Sequence, residues 1–404
     1  MSLDLDNTQP IDQNDLSFNA MLSNLQGNIL KGHGREHTAN IFVEFEGPKL
    51  ADARAWIHKF AKERVTSAKK QLRETERFKR NGVSGGLFVG CYVTAKGYEF
   101  FQVPEGSRPT DPSFQNGMEN ASLNDPPREE WEPTFRDITI HIMILLGHEN
   151  KATLSVEAAQ IIEDLRPFTT IATPPVFFSP NIHTEYGNAI RNASGDGLEH
   201  FGYVDGISHP LFFKDEIERF KANATPSTGA TLAWDPFAPL KQVLVEDPTV
   251  SVEDAFGSYF VFRKLEQNVR GFKEAEKTIA DALGLSEDEE ELAGALVVGR
   301  FEDGTPVTLT PTDGLIGSGA ANNFNYAADT EGLRCPFHAH IRKANPRGTG
   351  GAETPEEEKA HIMIRRGIPF GLREIVPAIE SQPEQFPTEG VGLLFQCFQS
   401  NSAN

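Results

Sequence analysis

The 404-residue chain is poor in cysteine, in basic charge and in long apolar runs, and each shortage removes a class of function. Its three cysteines, Cys91, Cys335 and Cys397, are scattered, so a disulfide framework is not expected. With 38 Lys and Arg against 58 Asp and Glu, the formal charge is −20. That balance argues against a nucleic-acid backbone or an anionic membrane surface as partner. The longest apolar run, near Ile138 to Leu146, is far too short to cross a bilayer. The opening Met1–Pro10 has no basic start, no paired arginines and no apolar stretch, so the expectation is no export signal and a cytoplasmic location. What is there is an ordinary globular composition, 38% hydrophobic with 35 glycines, in a chain long enough for a sizeable core or for two similar halves.

Residues 1–23 are polar and read as a flexible lead-in. Residues 40–46 and 87–93 read as strands. Between them Ala53, Trp56, Ile57, Phe60, Ala61, Val65, Ala68 and Leu72 recur at three and four, which predicts a helix with one buried face over 51–81. The connection over 97–136 carries Pro104, Pro109, Pro112, Pro126, Pro127 and Pro133, and loops of that length are usually functional or family-specific. Ile138, Ile140, Ile142 and Ile144 then alternate with Thr139, His141 and Met143 in a strand, where His141 reads as an ordinary satisfied histidine. A short amphipathic helix is expected over 156–165, a surface segment over 167–200 and an irregular stretch over 215–254. A strand over 257–264 and a helix over 271–283 follow, and Ser286-Glu-Asp-Glu289 is a capping box for a further short helix. After loops at 304–325 and 347–355, residues 391–398 close the pattern as a buried strand. Two rounds of strand, helix and strand predict an α+β fold of two units whose sheets pack together.

Three stretches carry chemistry. Phe201–Pro210, Phe-Gly-Tyr-Val-Asp-Gly-Ile-Ser-His-Pro, places one acid between two glycines, so Gly202–Gly206 reads as a turn displaying the Asp205 carboxylate. Arg334–Arg347 reads Arg-Cys-Pro-Phe-His-Ala-His-Ile-Arg-Lys-Ala-Asn-Pro-Arg, and His361–Gly371 reads His-Ile-Met-Ile-Arg-Arg-Gly-Ile-Pro-Phe-Gly. Alone, an Asp-Gly turn usually caps its own backbone and an Arg-Arg pair is usually a solvated face. Together, and in order with residues 24–31, 257–267 and 392–399, these blocks resemble the haem-dependent dye-decolorising peroxidases over nearly the whole chain.

The resemblance implies two ferredoxin-like halves, 24–200 and 201–404, with antiparallel sheets packed together and helices outside in a dimeric α/β-barrel-like arrangement. Haem is expected at their junction, mostly lodged in the second half. The group implied is haem b (iron protoporphyrin IX), non-covalently bound, in keeping with the lack of a Cys-x-x-Cys-His sequence.

Within that family pattern His340 is the iron ligand, leaving the opposite face open for hydrogen peroxide. Spacing alone leaves His338 as a rival, since residues two apart share a side of an extended segment, and Cys335-Pro336 as a thiolate alternative. The family's histidine just before Ile-Arg-Lys selects His340. Asp205 is expected to move a proton between the peroxide oxygens, and Arg365 to hold charge on the departing one. An aspartate ionises near about pH 3.9 in water, so turnover should be best on the acid side. Arg366 should point elsewhere. Arg342 is assigned to the propionates, and Gly202, Gly206 and Ser208 to close approach of backbone to porphyrin. Phe262, Leu393, Phe395 and Phe398 are assigned to its apolar walls, with plain core packing an equal reading for each. Glu389 is a candidate acceptor for the far N–H of His340. Dyes and phenols, the expected reductants, are too large for a small distal cavity and would deliver electrons at the propionate edge or at Trp56, Trp131, Trp234, Tyr186 or Tyr326. A homo-oligomer is compatible with the sequence. Two other readings stand beside this one: a haem-handling protein with little turnover, and a non-haem metal protein using His338, His340 and His361.

Overall fold

Two four-stranded antiparallel sheets packed face to face organise the chain, for which the computed structural model describes residues 3–7, 9–169, 181–206, 209–224, 232–252, 254–315, 322–351, 353–373 and 383–401. In the first sheet β1 (His37–Val43), β2 (Phe88–Val93), β3 (Ile142–His148) and β4 (Ile182–Asn188) lie in the order β2-β3-β1-β4. β1 and β3 are buried on both faces because both faces are covered. Ala39, Ile41, Val43, Ile142, Ile144 and Leu146 pack on helices α1 (Leu50–Glu63) and α3 (Lys151–Thr169). On the other face Phe42, Phe88, Met143 and Leu145 meet the second sheet.

That second sheet is built on its central strand, β8 (Gly392–Gln399), which pairs along its length with β5 (Tyr259–Glu266). Its other edge takes β6 (Ile364–Arg365) and then β7 (Ile368–Phe370). Across the interface the Phe42 and Phe262 rings lie 4.9 Å apart. The Gln396 amide donates to Asn40 Oδ1 at 3.0 Å, so the two polar side chains buried there satisfy one another.

Several expectations shift. The helix read over 51–81 is two, α1 and α2 (Ala68–Asn81), because Ser67 caps the second through its Oγ and the Lys70 amide, while Thr66 bonds backbone-to-backbone with Gly27 and Val89. Periodicity alone carries through such a break. β4 falls in the stretch read as surface segment; its Ile-His-Thr-Glu-Tyr-Gly-Asn sequence is too polar to show a period, and β1 holds it by backbone pairing. Helix α4 (Lys214–Ala224) lies in the stretch read as irregular, burying Ile217 and Ala224. The lead-in expected to be flexible packs through Ile11, Phe18, Met21 and Leu22 into a cluster with Phe212 and Phe213. The capping box is present, with Glu289 Oε2 accepting from Ser286 N at 3.0 Å and from its Oγ at 2.7 Å. No helix among the described residues is long and apolar enough to cross a membrane.

His141 is the satisfied histidine expected: its Nδ1 accepts from the Phe45 amide at 2.9 Å and its ring stacks on Phe100. Burial lowers its pKa to about 4. A histidine depressed in the folded state contributes its full stability above the unfolded value near about 6.5, and loses it as pH falls toward the folded one. The thermal midpoint should therefore drop between pH 6.5 and pH 4. His141→Asn, which keeps an acceptor for Phe45 N but cannot titrate, should flatten that drop in a series of melts; an unchanged slope refutes the assignment.

Candidate active site

The Asp205 turn is wound around one carboxylate. Glu199 accepts from the amides of Phe201 at 2.8 Å and Tyr203 at 3.1 Å, and burial nevertheless raises its pKa. Gly202 takes φ +104°, a conformation that favours glycine. Val204 N then bonds to Glu302 O at 2.9 Å and Asp205 N to Gly197 O at 3.0 Å, leaving the Asp205 side chain displayed.

Arg365 comes from β6, where it pairs with Cys397 of β8. Alternation along β8 therefore puts Arg365 on the same face as Leu393 and Phe395, both half-buried, while Leu394, Gln396 and Phe398 turn to the opposite face and are buried. Arg365 Nη2 lies 3.6 Å from Asp205 Oδ1, with the side chains 40% and 61% exposed. An ion pair that open adds little to stability, and both groups stay accessible to a third. His340 opens the short helix α5 (His340–Ala344) with its ring reachable from solvent. Its pKa is lowered, first by the desolvation it does experience and then by the Arg365 charge, so a neutral imidazole lies within electrostatic reach of the guanidinium.

No family model matches the chain. It is 43% identical over 387 residues to the multifunctional dye peroxidase DyP2 of Amycolatopsis, a match covering 95% of this chain and 79% of that protein. It is 34% identical over 310 residues to a dye-decolorizing peroxidase of Mycetinis scorodonius, covering 73% of this chain and 56% of the longer fungal one. The crystal structure of a DyP-type peroxidase from Anabaena matches with a TM-score of 0.87 at 39% identity, over 99% of this chain and 83% of that one. The chain belongs to the dye-decolorising peroxidases.

Peroxidases of this family carry haem, and the residues present fit one. An uncharged imidazole is open, apolar Leu393 and Phe395 flank the polar pair, and a buried cation, Arg347, has no carboxylate partner among the described residues. Burial pushes Arg347 down to about 9, and its guanidinium lies over the rings of Trp234 and Phe324 while donating to the carbonyls of Asn322 and Phe324. Arg300, held down to about 10 by burial, donates to Asn322 Oδ1 at 2.8 Å and Gly304 O at 2.8 Å beneath the Asp205 turn.

Other expected site residues of the peroxidase are placed differently. Arg342, assigned to the propionates, is 3% exposed and committed elsewhere: Nη1 donates to Asp329 Oδ2 at 2.9 Å and Cys335 O at 2.6 Å, and Nη2 to Asp329 O at 2.8 Å. The rings of Tyr326 and Phe337 lie against the guanidinium. Phe262, assigned to the porphyrin wall, pairs with Gln396 and so lies on the sheet face opposite Leu393 and Phe395, against Phe42 and Phe135. Phe398 is core, its ring 5.0 Å from that of Phe260. At Gly206 a Cβ would come within 2.4 Å of the Arg300 guanidinium, so the glycine leaves room for that side chain. Ser208 lies outside the described residues. Glu389 is exposed ahead of β8.

The rival ligands sit in different surroundings. Cys335 is buried, and burial pushes its thiol up to about 11, which keeps it protonated near neutrality. His338 precedes α5 and is exposed, as His340 is, while His361 lies 3.4 Å from Glu353. Among the described residues these histidines do not form a metal-ligand group; the one cluster that could, Glu132, His183 and Glu185, already holds Lys264 at 2.7 Å and 3.0 Å. Arg366 does point elsewhere, donating to Asn28 O at 2.7 Å and Ile29 O at 3.0 Å.

Sequence reasoning missed Arg347 although it ends a quoted block, and it missed Arg300, which sits in no recognisable motif. It also missed His209, whose pKa falls to about 3 through burial and then the charges of Arg366 and Arg365, with Asp205 opposing. Breaking the Arg342–Asp329 pair strands a buried charge, at a cost of about 3–5 kcal/mol. Arg342→Met should accordingly lower the denaturant midpoint of the apo-protein strongly; a variant as stable as the parent would return Arg342 to the propionates.

Proposed function

We propose that this peroxidase binds haem b through His340 and, with Asp205 and Arg365 on the opposite side, reduces hydrogen peroxide while oxidising dyes, phenols or similar reductants. The observation that carries the reading is the 3.6 Å approach of Asp205 and Arg365, drawn from separate segments onto an open apolar face within the electrostatic reach of His340. Haem, when bound, would supply the redox chemistry, coupling the two-electron reduction of peroxide to one-electron oxidations of the reductant.

The protein's own groups handle protons and charge. His340, uncharged, offers its ring lone pair to the metal. Asp205 accepts the proton of one peroxide oxygen and returns it to the other, work worth about 10²–10⁴ in rate. Arg365 holds negative charge on the departing oxygen. Arg347, with Arg300, supplies cationic charge for the propionates in place of Arg342. Of the aromatic residues considered as electron entry points, Tyr326 is fully buried and Trp234 is 6% exposed, whereas Tyr186 is 41% exposed and Trp131 is half-buried beside a cavity of about 1870 Å³ under the 97–136 connection.

Asp205→Asn and Arg365→Leu should each keep the Soret band and slow the reaction with hydrogen peroxide by about 10²–10⁴, while His340→Ala should fail to retain the pigment. Peroxide reactivity unchanged in both distal variants would reject this function, and a wild-type protein that loads haem yet turns over no dye from acid to neutral pH would support the haem-handling reading instead.

A further inference from the structure

Asp205 and Arg365 reach one another from two segments whose internal structures are each rigid. The Asp205 segment is wound on Glu199, as described, and Phe201 stacks on Phe272 at 4.2 Å. The Arg365 segment is fixed to β8 by backbone pairing at residues 364, 365, 368, 369 and 370. What sets one against the other is a separate question, because a 3.6 Å pair with both partners open to solvent cannot lock itself.

His200 joins the two directly. It is 0% exposed, and its Nε2 lies 2.7 Å from Phe370 O. A carbonyl only accepts, so Nε2 carries the hydrogen and the ring is the neutral Nε2–H tautomer, with Nδ1 left without a partner among the described residues. Burial, its largest influence, pushes the pKa to about 4, in accord with a neutral ring. The backbone of the same residue is held too, since Arg373 Nη1 donates to His200 O at 2.6 Å. Asp205 lies five residues beyond His200, and Arg365 five residues before Phe370. The bond therefore joins the two segments that carry the functional groups while touching neither group.

We infer that His200 is a positioning residue: its Nε2–H bond to Phe370 O sets the register of the Asp205 turn against the Arg365 strand, and with it the spacing of the proton-handling group and the cation. The inference rests on the distal roles proposed for Asp205 and Arg365. Misplacement of catalytic groups by about 1 Å can cost about 10² in rate, so a lost register would show in chemistry before it showed in substrate binding.

The test compares His200→Gln, His200→Asn and His200→Leu in the haem-loaded protein. A glutamine Nε2 reaches about as far as the imidazole Nε2, whereas an asparagine Nδ2 stops at the position of Nδ1. Two readouts are taken besides steady-state rates: the Soret band for pigment retention, and cyanide affinity of the ferric protein, which senses the groups placed beside a small anion. Asparagine and leucine variants should retain pigment, leave KM for an anthraquinone dye within about twofold, and lose about tenfold in both the bimolecular rate with peroxide and cyanide affinity. Glutamine should restore both to within about threefold of the parent. Asparagine and glutamine variants behaving alike, whether both impaired or both intact, would overturn the proposal, and that pair decides the matter should the leucine variant fail to fold. Asp205→Asn and Arg365→Leu run alongside: if they leave the peroxide rate unchanged the distal assignment itself is wrong, and if they abolish it while the asparagine variant does not, only the role of His200 falls.

Discussion

Strict alternation along β8 is the constraint on which the rest of the molecule depends. One set of side chains, Leu394, Gln396 and Phe398, is pressed against the first sheet and the N-terminal segment, where burial of apolar surface at roughly 25 cal/mol per Å² drives the halves together. The other set, Leu393 and Phe395 with Arg365 alongside, is left facing outward, half-covered and available. A single strand thus separates stability from chemistry, and a one-residue slip of its pairing would exchange the two.

The second constraint is electrostatic. Although the chain carries a formal charge of −20, the region behind the Asp205–Arg365 pair is crowded with guanidinium groups. Arg300 and Arg366 are each held down to about 10 and Arg347 to about 9, burial being the first cause in every case, and each rests largely on backbone carbonyls. Burying cations without full carboxylate pairing is costly, and proteins retain such groups where an anion or a developing negative charge is to be met. Asp205 is the acid that faces this field.

How much of this was legible in the sequence depends on whether a feature is local. Asp205, His340 and Arg365 stand in contiguous blocks, so reading them needed no three-dimensional knowledge. The two rounds of strand and helix were equally visible, because β1, β2, β3 and β8 are strongly apolar. Arg342 and Arg347 share one block, yet sequence gives no depth, and only the structure shows that Asp329 and Cys335 consume the first. Which face Phe262 takes could not be read from the sequence, because the phase of β5 relative to β8 is fixed by pairing between strands far apart in the chain. β4 was invisible because its register on β1, rather than its own composition, makes it a strand.

Placing the organising strand at residues 392–399 also bears on how the molecule comes into being. Synthesis runs from the N-terminus, so the first sheet can close while later residues are still being added, but the Arg365 segment has no neighbour to pair with until β8 emerges. Through that interval Phe42, Met143 and Leu145 have no second sheet to cover them. The half-made chain thus leaves an apolar sheet face uncovered until β8 is made.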